Sequence, residues 1–183
     1  MLMQLTHRQA VELFCEQANW AYECWVTHKK LFDENSDSEK TLSKAIYFFC
    51  RLSVITQEYS ILQICKLHDP ASSRGKCNIS ILYMIEKFGP DLPDLKKIKE
   101  KMDAFYCIVK KARNNFLAHN DGRSLALGES MGAFEEGLDE EYFDNLKEFA
   151  DLVSRKYLST PFVYNDLSVA DVFEFLEVLR NKK

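Results

Sequence analysis

Arg113, Asn114 and His119 have the types and spacing to do chemistry, and they close the stretch Lys110-Lys111-Ala112-Arg113-Asn114-Asn115-Phe116-Leu117-Ala118-His119-Asn120-Asp121. A guanidinium offers a planar fork of donors that fits phosphate, and histidine is the side chain whose ordinary pKa lies near neutrality. A grip on phosphate beside a proton carrier is what binding and cleaving a phosphodiester requires. Lys110, Lys111, Asp121 and Arg123 stand around these three as candidate substrate-binding residues. The bare spacing is weak evidence: with seven arginines and four histidines, an arginine four to six residues before a histidine arises about 0.5 times by chance. Context strengthens it, through the asparagine directly after the arginine, the lysine pair before it and the aspartate two residues past the histidine.

A helix starting near Pro93 must position this cluster. Its apolar residues Leu95, Ile98, Met102, Phe105, Val109, Ala112 and Phe116 step by 3, 4, 3, 4, 3, 4, the seam of an antiparallel bundle or coiled coil. The next step of three lands on His119, which predicts an inward-facing histidine. Six helical residues rotate by roughly 600°, leaving Arg113 and His119 about 120° apart. Either the helix unwinds before His119, or the arginine reaches around, or a second copy in a dimer completes the site; the last suits the geometry best. The same residues also allow a purely structural role, with His119 a hydrogen-bonded core residue and Arg113 paired to Asp121 or to an acid of the fifth helix. His7, His28 and His68 lack such partners in sequence and read as surface or cap residues.

The remaining chain reads as further helices. Thr6-x-x-Gln9 forms a capping box opening a first helix to about His28, with Val11, Phe14, Cys15, Ala18, Tyr22 and Trp25 on one stripe. Asp33 to Ser38 reads as a loop, and a long second helix runs from about Glu39 to Leu67. Tyr47, Phe48 and Val54 widen its apolar face, which makes it central or oligomer-facing. Asp69-Pro70 ends it. A short helix over Ile79 to Phe88 takes Asn78 as its cap, residues 120 to 137 read as a glycine-containing loop, and a fifth helix spans about Glu140 to Tyr157. Ser168-x-x-Asp171 resembles a capping box that opens a last helix. The class is all-α, an up-and-down bundle of about five to six helices in one domain, residues 1 to 183.

With 46% hydrophobic and 28% charged residues, the composition is that of a globular protein and excludes wholesale disorder. A formal net charge of −4 argues against indiscriminate coating of nucleic acid, which needs many cations. Charge is nevertheless segregated: Lys96, Lys97, Lys99, Lys101, Lys110, Lys111, Arg113 and Arg123 crowd one segment, and residues 129 to 151 are acidic with a single lysine. Six cysteines show no C-x-x-C pair and no zinc-finger spacing, so neither metal nor cofactor is expected and reduced core thiols are. No apolar run approaches the roughly 18 residues of a membrane span, and the expected location is cytoplasmic.

Arg113-Asn114 followed by Ala118-His119 resembles the R-polar-x(3 to 5)-H signature of the HEPN superfamily of helical bundles. The order of Leu67-His68-Asp69-Pro70, a lysine-containing loop, Asn78-Ile79-Ser80 and the Ala112 to Asp121 segment is similar to the AbiU-like abortive-infection branch, over roughly residues 40 to 157. The resemblance implies a metal-independent ribonuclease of phage-defence or toxin–antitoxin type, working as a homodimer in which Arg and His of two subunits meet in a cleft. It implies that Arg113 holds the scissile phosphate, His119 transfers protons, Asn114 orients one of them, and the product carries a 2′,3′-cyclic phosphate. RNA and an antitoxin protein are the partners it suggests. Other HEPN-like domains serve as non-catalytic scaffolds for a protein partner, a reading that the acidic balance and the wide face of the second helix also fit.

Overall fold

A computed structural model describes residues 5–33, 42–114 and 133–181. Among them are six α-helices: α1 (His7–His28), α2 (Ile46–Leu67), α3 (Ile81–Phe88), α4 (Asp94–Ala112), α5 (Leu138–Leu158) and α6 (Leu167–Asn181). The all-α expectation holds. A π-helical turn, Lys29–Asp33, extends α1, and a 3-10 turn, Ser43–Ala45, leads into α2.

Helix α1 begins as its sequence dictates. Thr6 accepts from the Gln9 backbone N–H, and the Gln9 side chain accepts from the Thr6 N–H, so orphan donors at the helix start are satisfied reciprocally. His68 caps the C-terminal end of α2 just before Asp69-Pro70. A two-residue antiparallel hairpin, Ser72–Ser73 with Lys76–Cys77, follows. Its turn needs positive φ at both central residues, met by Arg74 (φ 50°) and Gly75 (φ 75°).

Two caps differ from expectation. Ser80, not Asn78, caps α3 by accepting from the Tyr83 N–H, while the Asn78 side chain donates to the Pro70 carbonyl at 2.7 Å. Asn78 is thereby committed to closing the preceding turn. Ser168 lies inside the first turn of α6 and accepts from the Thr27 hydroxyl at 3.2 Å; Asn165 takes the Leu167 N–H instead.

The core lies between α1, α2, α4 and α5. Every described seam position of α4 is buried: Leu95, Ile98, Met102, Phe105, Val109 and Ala112. They meet Tyr142, Leu146, Phe149 and Val153 of α5 and Phe14 and Ala18 of α1. Fully burying side chains of this size contributes about 1.5–3 kcal/mol each, which makes the α4 seam the rigid mount for whatever follows it. Asp139 fastens the start of α5 to the end of α1, accepting from Lys29 Nζ and Trp25 Nε1, each at 2.9 Å. The second cluster, Leu31, Val172 and Leu176, holds α6 against the extension of α1.

The thiols depart from the expected pattern. Cys65 alone is buried, Cys15 and Cys24 are half-buried, and Cys50, Cys77 and Cys107 are exposed, because these three fall outside the stripes that face the core. All six are free. No group of three metal-ligating side chains occurs among the described residues, and no helix among them is long and apolar enough to cross a membrane.

Candidate functional site

The C-terminal end of α4 carries the described half of the candidate site. Lys110, Lys111 and Arg113 follow the buried seam residue Val109, and Ala112 is the last residue of the seam that the structure describes. Arg113 caps α4 in helical conformation, its N–H bonded to the carbonyls of Val109 and Lys110. The chain passes through Asn114 in a π-type turn, with Arg113 half-buried and Asn114 exposed. Arg113 Nη1 donates to Asn114 Oδ1 at 3.1 Å. The asparagine carboxamide oxygen thus holds one end of the guanidinium. His119, Asp121 and Arg123 lie outside the described residues.

Among the described residues none of Lys110, Lys111 and Arg113 has a carboxylate partner. Of the cations earlier on α4, Lys97 pairs with Asp94, Lys99 with Asp103 and Lys101 with Glu148, whereas Lys96 has no carboxylate partner among the described residues either. A helix C-terminus carries partial negative charge, which favours these cations and works against an anion reaching for the backbone. The groups at this end that attract an anion are therefore side chains and not the backbone.

Beneath the cations is a column of rings that the sequence did not disclose. Lys110 Nζ stands 5.7 Å from the centre of the Tyr106 ring, a cation over the negative face of a π-system. The other partner of Tyr106 is His68, stacked at 3.8 Å with 9° between planes. Nε2 of His68 shares a 3.0 Å hydrogen bond with the hydroxyl of Tyr142, which is 1% exposed. The column thus runs from an exposed ammonium through α4 and the end of α2 into α5. His68 is a cap residue, as expected, but a buried one; His28 is buried as well, 2.8 Å from the Thr56 hydroxyl. Among the described histidines His7 is the exposed one, at the start of α1.

Electrostatics fix the protonation of this floor. Burial, then Lys99 and Lys110, drives the His68 imidazole down to about 3, so it is neutral and serves packing rather than proton transfer. Burial pushes the Cys65 thiol up to about 11, against the pull of Arg113 and Lys110. Burial also raises Tyr106, again opposed by Arg113. Arg113 therefore lies within electrostatic reach of both groups, where Asp69 acts in the opposite sense.

One signal for this floor was present in the sequence. Tyr106, Lys110 and Arg113 are spaced i, i+4, i+7 and so share a helix face. The partner, His68, is separated from Tyr106 by 37 intervening residues, and no local pattern joins them.

The fold is an all-α bundle that mounts Arg113 and Asn114 at the end of its seam helix. The family model described as AbiU2, of the HEPN superfamily, matches residues 5–178, and the chain belongs to that family. The match extends well beyond residues 40 to 157, taking in α1 and nearly all of α6. No curated protein and no solved structure matches the chain.

Proposed function

We propose that the chain is a metal-independent RNA endonuclease of phage-defence or toxin–antitoxin type, with its Arg/His site in the cleft of a homodimer. The observation that carries this reading is Arg113, half-buried at the end of α4, oriented by Asn114 and without a carboxylate partner among the described residues. A structural arginine in such a place is expected to neutralise an acid; this one is held ready for an external anion.

In the proposed reaction the RNA 2′-oxygen attacks the adjacent phosphorus as its proton leaves to a base, and the bond to the 5′-oxygen breaks as that oxygen gains a proton. The products are a 2′,3′-cyclic phosphate and a free 5′-hydroxyl. Arg113 would neutralise the phosphorane, Lys110 and Lys111 would bind flanking phosphates with Arg123 further along, Asp121 would accept hydrogen bonds from substrate hydroxyl or amino groups, and His119 would carry one of the two protons. Proton transfer by a positioned side chain contributes roughly 10² to 10⁴ in rate.

The test is incubation of purified protein with mixed RNA in EDTA. Wild type is expected to cleave and leave cyclic-phosphate ends, and Arg113→Ala and His119→Ala are each expected to lose at least 100-fold. Equal cleavage by wild type and both variants would overturn the reading. The exposed apolar face of α2, with Tyr47 91% and Phe48 63% exposed, favours a second reading, a non-catalytic scaffold that docks a protein partner. On that reading Arg113→Ala changes partner affinity and no RNA product.

A further inference from the structure

The half of α2 nearest its start is apolar and uncovered among the described residues. Tyr47, Phe48, Val54 and Ile55 are exposed, and Tyr59 beyond them is 44% exposed. At about 100° per residue, Tyr47, Phe48, Arg51, Val54, Ile55, Glu58 and Leu62 all fall within about 120° of one another, opposite the buried Phe49, Ser60 and Leu67. The apolar surface continues sideways over Trp20, whose indole N–H donates to the Tyr59 hydroxyl at 3.4 Å. Beside it opens a cavity of about 340 Å³ lined by Cys24, Thr27, Ile55 and Ser168.

Between Ile46 and Cys65 the helix has just two charged residues, Arg51 and Glu58. They lie at the middle of the exposed face, seven residues apart and therefore on one line, about 10 Å along the axis. Neither has an ion-pair partner among the described residues. One basic and one acidic residue placed symmetrically about the Val54–Ile55 midpoint make the face complementary to itself when a copy is turned end for end.

We infer that this face binds a second copy of the chain, the two α2 helices packing antiparallel across a two-fold axis at Val54–Ile55, with Arg51 of each copy paired to Glu58 of the other. An isologous contact of this kind buries the same apolar patch twice and closes without a free end. The inference deepens the dimer-cleft reading above and rests on it for its functional meaning. Helix α4 runs antiparallel to α2, from Tyr106 beside His68 to Arg113 in reach of Cys65. Cys65 is about 16 Å along α2 from the proposed axis, so the two α4 helices run toward that axis from opposite sides, with the two Cys65 positions beside Arg113 about 32 Å apart along α2.

The test uses the full chain at micromolar concentration in sedimentation velocity. Wild type is expected to be a dimer, and R51E and E58R are each expected to be folded by circular dichroism and at least tenfold weaker in self-association. An equimolar mixture of the two variants must regain a one-to-one heterodimer, since both cross-axis contacts become attractive again, and the R51E/E58R double variant must regain the homodimer. A monomeric wild type, a dimer indifferent to both reversals, or a mixture that stays monomeric overturns the inference. The nuclease reading is judged separately by Arg113→Ala in EDTA: rescue of the mixed dimer without RNA cleavage by wild type sinks the nuclease alone, and cleavage lost in Arg113→Ala without rescue sinks this interface alone.

Discussion

Arg113 and His68 divide the labour at the end of α4, the first as an available charge and the second as a neutral support. His68 is stacked on Tyr106 and bonded to Tyr142, and both contacts are lost if the ring must take a proton in its buried site. Its folded pKa, about 3, is below the ordinary value of 6.5, so the unfolded chain binds the proton first as pH falls. The stabilisation is therefore complete above pH 6.5 and is lost as pH falls from there toward 3, about 5 kcal/mol at most. Urea midpoints measured across this window are expected to fall less steeply for His68→Phe, which keeps a ring in the stack and removes the titration. An unchanged slope would show that the acid sensitivity comes from elsewhere. Cleavage by the His68 variant at neutral pH should persist, because a ring already neutral there has no proton to contribute.

At the scale of elements, α4 was legible because its register is written in apolar residues alone. A 3-4 seam needs no knowledge of partners, and all six of its described positions are buried; the Thr6 capping box and the Asp69-Pro70 stop are local in the same way. What escaped were choices between neighbouring candidates, such as Ser80 over Asn78 and Asn165 over Ser168, and contacts between distant residues. The Tyr106–His68–Tyr142 column joins three helices, and the joint of α5 to α1 spans 110 residues from Lys29 to Asp139. That joint carries its own prediction. Burial works to raise the Asp139 pKa, but hydrogen bonds from Lys29 and Trp25 outweigh it and hold the carboxyl below the ordinary value. Asp139→Ala leaves the Trp25 indole without its acceptor and Lys29 without one of its acids. A loss of about 1–3 kcal/mol in chemical denaturation is expected, and a loss below about 0.5 kcal/mol would show that the packing of Tyr142 and Phe143 alone fixes the start of α5.

For the whole molecule the question is whether one chain holds a complete site. The 120° offset between Arg113 and His119 argues that a straight helix does not present both to one phosphate, and the self-complementary face of α2 offers the second copy. The offset is read from residue spacing and the α2 face from exposure and charge, and together they make an experiment on mixed subunits decisive. Suppose Arg113→Ala and His119→Ala chains are unfolded, mixed in equal amounts and refolded so that dimers form at random. Half of the dimers are then heterodimers. If each site draws its arginine from one chain and its histidine from the other, every heterodimer keeps one intact site and loses the other, and the mixture should recover about a quarter of wild-type cleavage. If both residues of a site belong to the same chain, each site in every dimer lacks one of the two and the mixture stays as inactive as its parents. Adding R51E to both chains should abolish the recovery without touching Arg113 or His119, which ties the shared site to the α2 face in a single assay.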